Sequence, residues 1–369
     1  MATQVFSIVN DIVQQDLGLK NISVIDNQGL IAIGDTILSS QSLTDEFLNI
    51  LVKRIGKTVI DERKYKNRFS SLMKDNFEWG AILQKIKFGL IKAESDQSYN
   101  LVDGASVDMY KVNKPIVKQS LFYTETPYQF HITIQREHLK EAFTSESVMG
   151  SFISGIYTSV QNEIEYCFEG LGRLCLCNLI AELSGGKREI KLLTEYNALM
   201  STTLTPTTAL FDNAFLRWAT KRMKDISRYF ENFTKGVYND GSIETFSSVD
   251  NQKMFILSSF ETTLESEVTY SAFHENAVKL NNYEEVAYWQ AVSDENKVLV
   301  NRASDGKEIE VENVVGVLMD KDCAGSYKQN EWTSTTPVNS AGGYFNTYYH
   351  YRQLWFNDLG YNAVIFTLN

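Results

Sequence analysis

Four cysteines and four histidines are the side chains here best suited to hold a soft metal, attack as a thiolate or shuttle a proton. Cys175 and Cys177 lie two apart, Cys167 stands upstream and Cys323 is remote. Structural zinc needs Cys-x-x-Cys or His-x-x-x-His spacings, whereas residues two apart on a helix point to different faces. The four therefore read as free core thiols of a chain kept in a reducing compartment. His131, His138, His274 and His350 stand at no catalytic spacing from a Ser, Cys or carboxylate. Gly170-Leu-Gly172 lies inside a helical run, and Ser184-Gly-Gly-Lys187 lacks the glycine spacing of a phosphate loop. Glu163 with Glu165, and Glu284 with Glu285, have nothing nearby to raise a carboxyl pKa and read as solvated faces. No catalytic, cofactor-binding or metal-binding residue is assigned, and no cofactor is expected.

Charge narrows the partners. The 369 residues carry 35 Lys and Arg against 46 Asp and Glu, a net charge of −11. Gripping nucleic acid takes Lys and Arg that release condensed counterions, so a phosphate-binding protein is disfavoured, although an acidic chain can still stand beside DNA. The one local positive density is Lys53, Arg54, Lys57, Arg63, Lys64, Lys66 and Arg68, which reads as a solvated or partner-facing salt-bridge surface.

The composition is globular, with 43% hydrophobic and 22% charged residues, and only 4 Pro. The 21 Phe, 19 Tyr and 5 Trp suit subunit interfaces as well as cores, as in an obligate oligomer. No apolar run reaches about 18 residues and the N-terminus has no basic region before an apolar one, so neither secretion nor membrane insertion is expected.

Periodicity places the elements. Val5, Ile8, Val9, Ile12 and Val13 recur at helical spacing, and Ser42 or Thr44 is expected to cap a helix over Asp45–Ile55 that ends at Gly56. Residues 57–135 read as a long hairpin, with strand-like stretches at Ile82–Ile91, Lys118–Thr124 and Gln129–Gln135 around a polar middle, Glu94–Lys114. That middle has too few large apolar residues to close a core and is expected either to project and be covered by something else or to be a disordered surface loop. Thr144–Leu183 reads as one amphipathic helix of roughly 60 Å, stopped by Ser184-Gly185-Gly186. Residues 187–345 mix a helix from Thr207 to Phe230, a strand at Met254–Ser258, a helix through about Ala277 and a buried strand in VENVVGVLMDKD. An aromatic strand and a short apolar strand, Ala363–Phe366, follow.

Three stretches carry a resemblance to a known family. They are DEFLNILVKRIGKTVI (Asp45–Ile60), YQFHITIQREHLKEAFTS (Tyr128–Ser145) leading to NEIEY (Asn162–Tyr166), and GGYFNTYYHYRQLWFNDLGYNAVIF (Gly342–Phe366). In this order they resemble the major capsid protein of small short-tailed phages of the phi 29 type, a branch of the Hong Kong 97 capsid fold. The central region, Ser184–Ala341, matches more weakly.

The resemblance implies an α+β fold in four parts: an N-terminal arm and helix (1–56), an extended β-hairpin loop (57–135), a peripheral domain with a long spine helix (136–186 plus 342–369), and an axial domain (187–341). It implies a shell protein that self-assembles in pentamers and hexamers into an icosahedral or elongated head around double-stranded DNA. A scaffolding protein during assembly, a portal or connector at one vertex, non-specific DNA contact and no membrane go with it. The hairpin tip is the expected assembly contact: Asn100, Leu101, Val102, Asp103, Val107 and Met109. No Lys–Asn cross-link pair is marked, and an immunoglobulin-like decoration domain is not expected. An encapsulin-type compartment shell and an oligomeric enzyme with its site between subunits stay open as alternatives.

Overall fold

A computed structural model describes residues 2–17, 24, 26–55, 65–74, 82–123, 125–269 and 283–369. Within them the chain begins with α1 (Ala2–Asp11), α2 (Asn27–Leu38) and α3 (Gln41–Ile55), followed by β1 (Met73–Lys74), β2 (Leu83–Phe88), β3 (Val117–Phe122) and β4 (Glu125–Gln135). Next come α4 (Arg136–Ala142), α5 (Glu146–Leu183), β5 (Glu189–Lys191), α6 (Leu192–Met200), α7 (Pro206–Ala209) and α8 (Asn213–Phe230). The remainder is β6 (Gln252–Leu257), α9 (Ser258–Thr269), β7 (Tyr283–Val286), β8 (Val298–Asn301), β9 (Glu308–Val311), β10 (Val314–Asp320), β11 (Ala324–Thr335), β12 (Tyr344–Asn357) and β13 (Ala363–Thr367).

The axis of the molecule is α5, 38 residues that span about 57 Å at 1.5 Å per residue. The Ser145 side chain caps it by accepting from the Val148 N–H. Its apolar stripe passes through three cores. Met149, Ile153 and Ile156 pack with Val9, Ile12, Leu30, Ile33 and Phe47 of the N-terminal helices. Val160, Ile164 and Phe168 pack with Tyr351 of β12. Leu176, Leu179, Ile180 and Leu183 join the largest core, with Phe215, Phe230, Phe255, Trp289 and Phe366. One helix thus makes the three packing units a continuous body.

Two sheets flank it. The first has the order β1-β11-β12-β4 and is antiparallel except for the short β1–β11 pair. The second has the order β5-β13-β10-β6-β7, with β10 antiparallel to both β13 and β6. Every residue of β10 and β13 is buried, and each strand is apolar up to its last residue, Asp320 and Thr367, as suits a strand covered on both faces. Two connectors carry the chain between the sheets: Lys321–Cys323 joins β10 to β11, and Asp358–Asn362 joins β12 to β13.

Three expectations change. α3 starts at Gln41, because Thr44 is no cap: its buried hydroxyl donates to the Ile37 and Ser40 carbonyls. The helix over Thr207–Phe230 is two, since the Asp212 carboxylate caps a fresh start by accepting from the Phe215 N–H at 2.7 Å. The strand at Gln129–Gln135 pairs with β12 instead of the hairpin, because its apolar side (Phe130, Ile132) finds α5 beneath that sheet. β11 lies in the four-stranded sheet, and the buried β13 lies between β5 and β10 in the five-stranded one. The helix end expected near Ala277 lies outside the described residues.

Candidate assembly surface

The β2–β3 ribbon projects its far end away from both sheets. Its strands run antiparallel, with Leu83 opposite Phe122, Lys85 opposite Ser120, Lys87 opposite Lys118 and Phe88 opposite Val117. Leu83 and Phe122 anchor the root by packing on Leu354 and Phe356 of β12. Beyond the root the usual sidedness is inverted. Lys85, Lys87 and Lys118 point inward and are half-buried, whereas Ile86, Phe88, Val117 and Leu121 face outward. Phe88 is 67% exposed.

Residues 90–96 and 98–117, which continue this ribbon, are all exposed. Their order is local: a short 3₁₀ turn over Gln97–Asn100, capped by Asp96 accepting from the Ser98 N–H, and an Ala105 N–H to Val102 C=O turn with Gly104 at φ +84°. Side chains that elsewhere build cores stand in solvent here, among them Ile91, Tyr99 (87% exposed), Leu101, Val102, Met109 (78%) and Tyr110. All six expected contact residues, Asn100, Leu101, Val102, Asp103, Val107 and Met109, fall on this exposed loop. The outward row Ile86, Phe88, Val117 and Leu121 adds to them; alternation in the sequence marks two faces of a strand without saying which one meets solvent.

Beneath the root, the inward lysines meet the two connectors and the Asp240 loop. Lys85 Nζ donates to the Asp322 carbonyl at 2.7 Å and stands 4.0 Å above the Phe356 ring. Lys87 Nζ lies 3.5 Å from Asp358 and 3.2 Å over the Tyr361 ring. Lys118 pairs with Asp240 and donates to Ser242 Oγ at 2.8 Å, and Lys74 of β1 pairs with Asp322. Burial brings Lys85 down to about 8 from the ordinary 10.5, against the attraction of Asp358, and lowers Lys87 for the same reason.

The residues first considered for chemistry are dispersed. Cys175 and Cys177 do face different ways, one toward Asn357 and the other toward the Trp289 carbonyl, and burial pushes both thiols up to about 12. His131 and His350 lie on the solvent side of the four-stranded sheet beside Tyr348 and Trp332, His138 is exposed on α4, and His274 lies outside the described residues. Glu165 accepts from the Asn67 N–H and Glu284 from Ser71 Oγ, which are structural contacts of the 65–74 segment. Among the described residues no cluster of His, Cys, Asp and Glu is placed to hold a metal, and no helix is long and apolar enough to cross a membrane. Of the basic cluster only Lys66 and Arg68 have described side chains.

Among the described residues, a large apolar hairpin face is left uncovered. The chain's sequence from residue 7 to 367 matches the model of the Phi29-like phage major capsid protein family. The chain belongs to that family. The major capsid protein of Bacillus phage PZA is 26% identical over 377 residues, covering 99% of this chain and 73% of that protein. That of Bacillus phage GA-1 is 26% identical over 164 residues, 44% of this chain and 34% of the relative, so this match spans about a third of the relative's length.

Among solved structures, the capsid of Staphylococcus phage Andhra superposes with a TM-score of 0.57 at 11% identity, covering 85% of this chain and 87% of that one. The capsid of Cyanophage P-SCSP1u gives 0.50 at 14% identity, covering 84% and 90%. The α+β fold is thus the Hong Kong 97-type capsid fold, as the resemblance implied. A Phi29-like major capsid protein forms the shell of a phage head, and its place is the virion capsid. These matches give no support to the compartment-shell or enzyme alternatives.

Proposed function

We propose that this Phi29-like capsid subunit closes its shell by laying the outer face and tip of the β2–β3 hairpin on a neighbouring copy. The observation that carries this is the inverted ribbon, with its lysines inward and Ile86, Phe88, Val117, Leu121, Leu101 and Met109 outward. Burying such side chains is worth about 1.5–3 kcal/mol each, so a few per contact suffice when every subunit is held by several neighbours. On this reading the work is assembly without catalysis, in rings of five and six, by heterologous contacts that close. The four-stranded sheet with α5 is the peripheral unit, and the five-stranded sheet, β13 included, is the unit around the axes. A scaffolding protein guides assembly, a portal or connector takes one vertex, and packaged double-stranded DNA is contacted without sequence preference. The net charge of −11 suits a wall that repels phosphate and lets the genome slide.

The test is deletion of Leu101–Val107. The expected result is a folded, dispersed subunit that no longer gives closed particles in negative-stain images or light scattering. Normal shells from the deleted chain overturn the assignment of the tip.

A further inference from the structure

Three aspartate–glycine steps stand in the described residues: Asp103-Gly104 at the hairpin tip, Asp240-Gly241 in the loop beneath the hairpin root, and Asp305-Gly306 in the turn between β8 and β9. An aspartate followed by glycine can react with its own main chain, because the glycine nitrogen reaches the carboxyl carbon and no Cβ stands in the way. The reaction needs a carboxyl group that no donor holds and a glycine N–H free to turn. Two of the three steps are locked. The Asp305 carboxylate accepts two hydrogen bonds from Arg302 and one from the Lys307 N–H, while the Gly306 N–H donates to the Arg302 carbonyl at 2.8 Å. Glu182 of α5 fastens that turn by accepting from the Ser304 N–H and Oγ at 2.8 and 2.9 Å. The Asp240 carboxylate pairs with Lys118 and accepts from the Ser242 N–H and Oγ, and the Gly241 N–H donates to Asn239 Oδ1 at 3.0 Å. The tip differs. Among the described residues neither the Asp103 carboxylate nor the Gly104 N–H has a hydrogen-bond partner, and both residues are exposed. One main-chain bond closes the turn over them, from the Ala105 N–H to the Val102 carbonyl, and nothing lies within 4 Å of a methyl group added at Gly104.

We propose that Asp103-Gly104 is a site of spontaneous covalent modification, at which the tip of a dispersed subunit converts to isoaspartate. The Gly104 amide nitrogen attacks Asp103 Cγ in its carboxylic-acid form. The new bond between that nitrogen and Cγ closes a succinimide ring, the bond from Cγ to its hydroxyl breaks, and the amide proton leaves with the hydroxyl as water. Water then adds to one of the two ring carbonyls. Cleavage between the nitrogen and Cγ restores aspartate, whereas cleavage between the nitrogen and the main-chain carbonyl carbon of Asp103 leaves the chain running through Cγ. The isomer carries one more main-chain carbon and keeps its negative charge on the former main-chain carboxyl. Chain and water are the only reactants. An added main-chain atom inside a turn closed by one bond shifts Leu101 and Val102 against Val107 and Met109. The use of the change rests on the shell reading above: a tip covered by a neighbour keeps its turn, so the isomer marks subunits that have waited unassembled.

The experiment warms the dispersed full chain in mildly acidic heavy-oxygen water and maps its peptides by electron-transfer mass spectrometry, in which isoaspartate gives its own main-chain fragments. Isoaspartate carrying solvent oxygen is expected at position 103. Each charged hydrogen bond that must break before the ring closes slows the reaction by roughly tenfold or more, so Asp240 and Asp305 are expected to convert at least that much less. The same chain unfolded in guanidinium, where all three steps are free, sets the scale. Conversion at 240 or 305 equal to that at 103 in the folded chain, or none at 103 in the time the unfolded chain converts all three, overturns the proposal. Asp103→Glu keeps the charge on an exposed residue, folds as the parent does and closes the ring far more slowly, so it is expected to hold its closed-particle yield after warming while the parent loses yield. Isoaspartate at 103 with equal yields from the two leaves the modification standing and overturns its use in assembly. The peptide map is read on single chains, so its outcome is separate from what deletion of Leu101–Val107 shows about the tip.

Discussion

Lys85→Met makes the energetics of the buried lysines at the hairpin root measurable. The Lys85 side chain is 11% exposed, and burial brings its ammonium from 10.5 to about 8. At 1.36 kcal/mol per pKa unit, holding the charge there at pH 7 costs about 3 kcal/mol. Methionine keeps most of the stem over the Phe356 ring and removes the charge; it also loses the charged hydrogen bond to the Asp322 carbonyl, worth about 1.5–3 kcal/mol. The variant should therefore be as stable as the parent at pH 7 or more stable by about 1 kcal/mol, the reverse of what counting a broken salt bridge gives. The pH dependence is the sharper readout. Lys85 binds its proton less tightly folded than unfolded, so the unfolded chain holds more protons between pH 8 and 10.5, and this group's contribution to stability rises with pH in that window. The stability difference, variant minus parent, should accordingly shrink by about 2 kcal/mol from pH 7 to pH 9.5. Taking the difference cancels the buried thiols of Cys175 and Cys177, whose raised pKa values lower the stability of both proteins above about pH 9. Denaturant unfolding of the dispersed chain at the two pH values is the assay. A variant less stable by more than about 1 kcal/mol at both pH values, with no change in the difference, refutes the reasoning.

Two glycines of one helix should respond with opposite signs. Gly155→Ala meets nothing within 4 Å and should gain about 0.5–1 kcal/mol from helix propensity, whereas Gly172→Ala sets a methyl 2.8 Å from Phe69 Cβ and should lose about 1–3 kcal/mol by overpacking, both read by thermal unfolding. Phe88→Ser, on the uncovered face of β2, should leave unfolding within about 0.5 kcal/mol of the parent while sharply reducing the yield of closed particles; equal yields would remove that face from the contact.

Much of this protein is local and was legible as such. The spacing of Phe152, Ile153, Ile156, Val160 and Ile164 gives α5, with Ser184-Gly185 to stop it, because helix periodicity and stop signals are set within a few residues. The shortage of core-forming residues over Glu94–Lys114 is likewise a property of composition, and the exposed hairpin tip follows from it. The destination of each strand was not legible. β4 sits next to the hairpin in sequence yet pairs with β12, more than two hundred residues away, and β13 follows β12 closely yet enters the other sheet. Strand pairing is decided by which apolar faces find cover, a competition among distant segments that no local pattern records. The inward turn of Lys85, Lys87 and Lys118 has the same origin. Alternation along β2 and β3 determined that charged and apolar residues occupy opposite faces; only the tertiary structure, by setting Asp240, Asp322 and Asp358 on loops under one of them, decided that the lysines go in and the apolar face is left uncovered.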